Sequence, residues 1–74
     1  MRIVLNGDAT TLPRPMTVQE LLDHLGIDGR LVAVECNRVV IRRAKYAETP
    51  IPPDAEVEIV AFVGGGDEAC SVNF

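Results

Sequence analysis

The chain has 74 residues, 47% of them hydrophobic, and no second apolar block large enough to bury a core of its own, so it is read as one small domain. A core of this size leaves little free energy for a deep catalytic cleft, which favours a binding or carrier role over intrinsic catalysis. Seven basic against eleven acidic residues give a net charge of −4, and only Arg42-Arg43 are adjacent, so there is no concentrated basic face for nucleic acid. Such acidity would suit a partner with a basic docking surface, although it is also ordinary for soluble proteins.

The chain opens on Ile3-Val4-Leu5 followed by Asn6-Gly7-Asp8, far short of a signal-peptide apolar region, and its longest later apolar run is residues 59–63. No membrane partner is expected, and a cytoplasmic location fits best. Cys36 lies in an apolar stretch and Cys70 near the chain's end, a pattern of one buried and one exposed thiol rather than a disulfide framework.

Residues 2–5 are β-prone, Asn6-Gly7 supplies the two positive-φ positions of a type I′ turn, and residues 9–12 can return antiparallel. Pro13 and Pro15 then stop the second strand, because neither can donate to a ladder. Thr17 with Glu20 three residues later reads as a reciprocal capping box, and Met16 before the cap can staple onto Leu21. Val18, Leu21, Leu22 and Leu25 recur at helical spacing, Gly26 offers a left-handed terminus, and Ile27 can close back on Leu22. A helix over residues 18–25 follows.

After an Asp28-Gly29 turn, residues 31–36 read as a strand, Asn37-Arg38 as a tight turn, and residues 39–41 as a shorter strand. Pro50, Pro52 and Pro53 make residues 44–54 a surface loop with room for one helical turn. The last strand is expected over residues 56–63. One face carries Val57, Ile59, Ala61 and Val63; the other begins with Glu56 and Glu58 and ends with Val60 and Phe62. Val60 and Phe62 are thus either covered by another part of the fold or left as a docking patch.

Hairpin, helix, hairpin, loop and strand is the element order of an α+β, ubiquitin-like β-grasp, a mixed four- to five-stranded sheet packed on one main helix with the last strand parallel to the first. A ferredoxin-like fold would need a second helix of ordinary length. The expected division is a β-grasp domain over residues 1–63 and a flexible glycine-containing tail over 64–74.

Gly64-Gly65-Gly66-Asp67-Glu68-Ala69 formally matches a loose dinucleotide-binding pattern, yet only five residues follow Ala69, too few for the helix such a site requires. With one histidine, His24, a multi-histidine metal site or catalytic pair cannot be built, and the helix dipole accounts for its position. Ser71 and Cys70 have no positioned base nearby, so no catalytic residues and no metal ligands are assigned. What remains is a glycine run on a strand. It is either a plain linker or an arm without side chains that fits a narrow channel in another protein.

Several stretches carry a resemblance. They are the opening strand into Asn6-Gly7, Thr17-Val18-Gln19-Glu20-Leu21-Leu22, Val32-Ala33-Val34-Glu35 to Asn37, Val39-Val40-Ile41-Arg42-Arg43 leading to Tyr46, and the closing strand through Phe62-Val63-Gly64-Gly65-Gly66. Over residues 1–66 the chain resembles the ThiS family of thiamine sulfur carriers. The resemblance implies that the carboxylate of Gly66, preceded by Gly65, attacks ATP on a ThiF-like adenylating enzyme. The acyl-adenylate is then converted to a thiocarboxylate with sulfur from a donor such as a cysteine desulfurase. Thiazole synthase is the implied acceptor, and Gly64, Val63, Phe62 and Val60 the implied docking stem. No cofactor is expected to be bound, ATP being used by the partner.

Two departures from the family pattern stand out. Pro52-Pro53-Asp54 replaces an Asp/Asn-Gly-Asp turn, and a type I turn is expected there. Residues 67–74 continue past the glycines, so the Gly66 carbonyl is an amide until the bond between Gly66 and Asp67 is cut, by analogy by a tail-trimming metallopeptidase. The alternatives are a carrier for another pathway (molybdopterin, cysteine or a secondary metabolite), a ubiquitin-like protein modifier, or an interaction module whose tail is read by some other partner.

Overall fold

In the computed structural model, which describes residues 1–62, strand β1 (Arg2–Leu5) turns through Asn6 and Gly7 into β2 (Asp8–Thr11). Asn6 has φ 49° and Gly7 φ 86°, the backbone a type I′ hairpin requires. The helix α1 (Val18–Leu25) follows, with both halves of the capping box formed. The Glu20 amide donates to Thr17 Oγ1 at 3.2 Å and the Thr17 amide to Glu20 Oε1 at 2.9 Å. At its other end Gly26 is left-handed at φ 73°, and Ile27 and Gly26 donate back to the carbonyls of Leu22 and Asp23, which makes the expected Schellman closure.

A 3₁₀ turn (Gly29–Leu31) leads into β3 (Val32–Cys36), which returns through Asn37-Arg38 as β4 (Val39–Ile41). Leu31 thus closes the turn instead of opening the strand. A second 3₁₀ segment (Arg43–Glu48) lies within the proline-rich connection, and β5 (Glu56–Ala61) ends the described fold. The turn before β5 differs from expectation. The Ala55 amide donates to the Pro52 carbonyl and Asp54 sits at φ 62°, so it is a type II turn, which Pro53 suits at its first central position and Asp tolerates at its second.

The five strands form one sheet in the order β2-β1-β5-β3-β4. β1 and β5 are parallel, with Val4 opposite Glu56 and Leu5 opposite Val57; every other pairing is antiparallel. This is the ubiquitin-like β-grasp, with one main helix on one face. Alternation sends Ile3, Val34 and Val57 toward the helix, where they are buried with Val18, Leu21 and Leu22. Leu25, placed by spacing on that same stripe, is the last residue of the helix and is 38% exposed. Tyr46 is buried and its hydroxyl donates to the Val32 carbonyl at 3.3 Å, pinning the proline-rich connection beside the helix.

Candidate functional site

β5 is the middle strand, and hydrogen bonds hold it from both sides by a device the sequence did not announce. Where β1 ends, the Asn6 amide side chain takes over as the next rung. Its Oδ1 accepts from the Ile59 amide at 2.8 Å and its Nδ2 donates to the Ile59 carbonyl at 3.3 Å. On the other side Asn37 Oδ1 accepts from the Glu56 amide at 2.9 Å, while the Asn37 amide donates to the Glu56 carbonyl at 2.7 Å. Both asparagines occupy the first positive-φ position of a two-residue hairpin turn. Each therefore shapes its own hairpin and also clasps the strand arriving from far along the chain.

Beyond Ile59 the support becomes one-sided. β3 still pairs with β5 as far as Val32 opposite Ala61, and the Phe62 amide donates to the Leu31 carbonyl at 2.9 Å. β1 has already ended, so among the described residues the Ala61 backbone faces no strand on that side. Val60 and Phe62, the two docking candidates among the described residues, occupy this projecting stem. Val60 is half-buried, opposite Ala33 across the β3–β5 register, whereas Phe62 is 49% exposed. The two alternatives for this pair therefore divide between its members. The described part of the strand stops at Ala61. Val63, Gly64, Gly65, Gly66 and Asp67, with the expected cleavage position and Cys70, lie outside the described residues.

The sheet face away from the helix carries a concavity of about 550 Å³, lined among others by Val4, Glu35, Arg38, Glu58 and Val60. Register places Glu35 directly opposite Glu58, a like-charge pair that weakens a sheet unless cations approach it. Arg38 Nε lies 3.7 Å from Glu56 Oε1, and no ion pair reaches Glu35 or Glu58 among the described residues. This face is acidic with an apolar end at Val60. Spacing alone could not reveal the Glu35–Glu58 pair, because it depends on the β3–β5 register.

On the opposite side of the stem, Phe62 lines a shallower groove of about 280 Å³ with Arg30, Ile41, Arg43 and Tyr46. Burial pushes the Tyr46 hydroxyl above its usual range. Asp28 accepts from Arg30 through both carboxylate oxygens, at 3.1 Å from Nε and 2.8 Å from Nη2, and also from the Arg30 amide at 2.9 Å. The Arg30 side-chain bonds, with that backbone bond, hold its carboxyl at about 2. Cys36 is buried as expected, and burial raises its thiol. No group of side chains among the described residues could hold a metal ion, and none of their helices is long and apolar enough to cross a membrane.

A five-stranded mixed sheet on one main helix, with its central strand running past the end of β1, defines the ubiquitin-like β-grasp class of small domain. The ThiS family model matches residues 3–66, and the chain belongs to the ThiS family. It is 38% identical over 50 residues to the sulfur carrier protein ThiS of Bacillus subtilis, covering 68% of this chain and 76% of that one. It is 41% identical over 68 residues to a thiazole synthase of Paramagnetospirillum magneticum, covering 92% of this chain but 21% of the relative. The chain thus spans about a fifth of the length of the thiazole synthases it matches. The crystal structure of a thiamine biosynthesis protein (ThiS) from Geobacter metallireducens superposes with a TM-score of 0.79 at 32% identity, covering 89% of this chain and all of that one.

Proposed function

We propose that this chain carries sulfur for thiazole formation in thiamine biosynthesis, as a thiocarboxylate on Gly66. The observation that carries the reading is that the family match runs through Gly66 and the described fold delivers the strand leading to it as a braced, projecting stem. Residues 67–74 are first removed by hydrolysis of the Gly66–Asp67 amide, the work of a tail-trimming metallopeptidase. The freed carboxylate then attacks ATP on a ThiF-like adenylating enzyme and pyrophosphate leaves; the outer sulfur of a donor persulfide, such as that of a cysteine desulfurase, displaces AMP at the carbonyl, and a thiol reductant cleaves the resulting acyl disulfide to leave the thiocarboxylate. Glycine has no Cβ to obstruct attack at that carbon.

Thiazole synthase is the proposed acceptor. The reading is supported by the relatives of that name, whose matching segment is about a fifth of their length. Phe62 and Val60 dock the stem, with the acidic sheet face meeting basic groups on the partner. Chain 1–66, incubated with ATP, an adenylating enzyme of the family and a sulfur source, should gain the mass of one oxygen-for-sulfur exchange, localised to Gly66 by fragmentation. An unchanged mass with an enzyme that adenylates its own carrier would refute the proposal. An amide link to lysine in place of the thioacid would show a protein modifier.

A further inference from the structure

β4 is an edge strand, and it is left unusually bare for one. Val39 and Val40 are 60% and 63% exposed, and among the described residues the strand has no partner on its outer side. The two-residue turn makes Cys36 and Val39 the hydrogen-bonded pair of the β3–β4 ladder, so Val40 and Arg42 aim their N–H groups outward. Arg42 and Arg43, both exposed, follow directly, and neither has an ion-pair partner among the described residues. An apolar edge with free donors and two adjoining cations is a template for an extended segment that begins with acids.

The chain itself contains such a segment. In Asp67-Glu68-Ala69-Cys70-Ser71-Val72-Asn73-Phe74 two carboxylates come first, and then apolar Cys70, Val72 and Phe74 alternate with polar Ser71 and Asn73, the period of a strand with one apolar face. The reach is sufficient. Phe62 lines one groove with Ile41 and Arg43, so the described chain ends beside the C-terminal end of β4. From β5 to a position outside β4 is three strand spacings, about 14 Å. The five links from Phe62 to Asp67 extend to about 17 Å. Continuing from the Arg43 end toward Val39, the segment would run antiparallel to β4, the favoured sense for edge pairing.

We propose that residues 67–74 dock on their own fold, Asp67 and Glu68 against Arg42 and Arg43 and residues 69–74 as a sixth strand on β4. This contact does not depend on the sulfur-carrier chemistry. Docked in this way, the segment covers the aggregation-prone valine edge and holds the Gly66–Asp67 bond against the body of the protein.

Backbone amide exchange compares the full chain with a chain ending at Gly66, which retains every described residue, under reducing conditions and at two protein concentrations. Val34, paired within the sheet, is the internal reference. The Val40 and Arg42 amides should exchange about five- to tenfold more slowly in the full chain, equally at both concentrations. Substituting Arg42→Glu and Arg43→Glu together in the full chain should return Val40 to the rate of the shortened chain. Equal Val40 rates in the two chains would overturn the proposal. Protection that grows with protein concentration would also overturn it, since a second copy would then be the occupant.

Discussion

Replacing Asn6 separates two roles that one residue combines. As a turn residue it needs only a positive φ, which glycine supplies as well, so Asn6→Gly should cost nothing if the turn is its whole contribution. As a clasp it makes two side-chain bonds to Ile59, at 2.8 and 3.3 Å, joining residues 53 apart. Net values of about 0.5–1.5 kcal/mol per bond, with the longer near the low end, give a loss of about 1–2 kcal/mol. The relief of left-handed strain and the added unfolded-chain entropy of glycine roughly cancel. For a domain of this size that is a fall in Tm of about 6–13 °C, seen in urea as a lower midpoint at unchanged slope. Asn6→Asp keeps the shorter bond and should lose only about 0.5 kcal/mol, while Asn6→Ala adds backbone strain and should lose most. The Ile59 amide should exchange about tenfold faster than in the parent, relative to Val34. An Asn6→Gly protein as stable as its parent would refute the clasp.

Three further outcomes are expected. Asp28 should titrate near 2 in the folded protein, and Arg30→Ala should return it toward the ordinary carboxylate range, both followed by carboxyl-carbon NMR. Because the folded value is depressed, the stability linked to Asp28 is complete above about pH 4 and lost as pH falls through about 2. Cys36 should react with a thiol reagent only when the fold opens, in a Cys70→Ser background; modification at the rate of a free thiol would contradict its burial and raised pKa. Phe62→Ala should lower kcat/KM for adenylation of the trimmed chain about tenfold while leaving Tm within about 2 °C, because the ring is half exposed. Val39→Ala, somewhat more exposed and on the far edge, is the control, and a Phe62→Ala rate equal to it would remove Phe62 from the docking stem.

The local signals survived folding best. Asn6-Gly7, the Thr17/Glu20 box and Gly26 each specify a backbone geometry within a few residues, and each is found as read. Errors appear where a distant neighbour decides. Spacing put Leu25 on the buried stripe, but as the last residue of the helix it is left exposed. Pro53-Asp54 reads locally as a type I turn, since nothing in the sequence marks Asp54 for the left-handed position glycine usually fills, yet it adopts φ 62°. At the site, Val60 and Phe62 were visible from the change in polarity along β5. The Asn6 and Asn37 clasps and the Glu35–Glu58 pair were not, since each exists only once the strand register is set.

The placement of the clasps bears on how a carrier of this kind works. A partner that binds an extended stem must otherwise meet the entropy of ordering it, about 1–2 kcal/mol for each backbone residue fixed. Here Glu56 and Ile59 are tied down from opposite sides, and the Phe62 amide is bonded to Leu31, so the strand is ordered before any encounter up to Phe62. The side of Ala61 where β1 has ended is, among the described residues, an open backbone edge. Ordering on one side and an unpaired edge on the other let a partner add a strand to the stem without first displacing one, which fits recognition of many successive carriers better than a tail hung from a fully paired sheet.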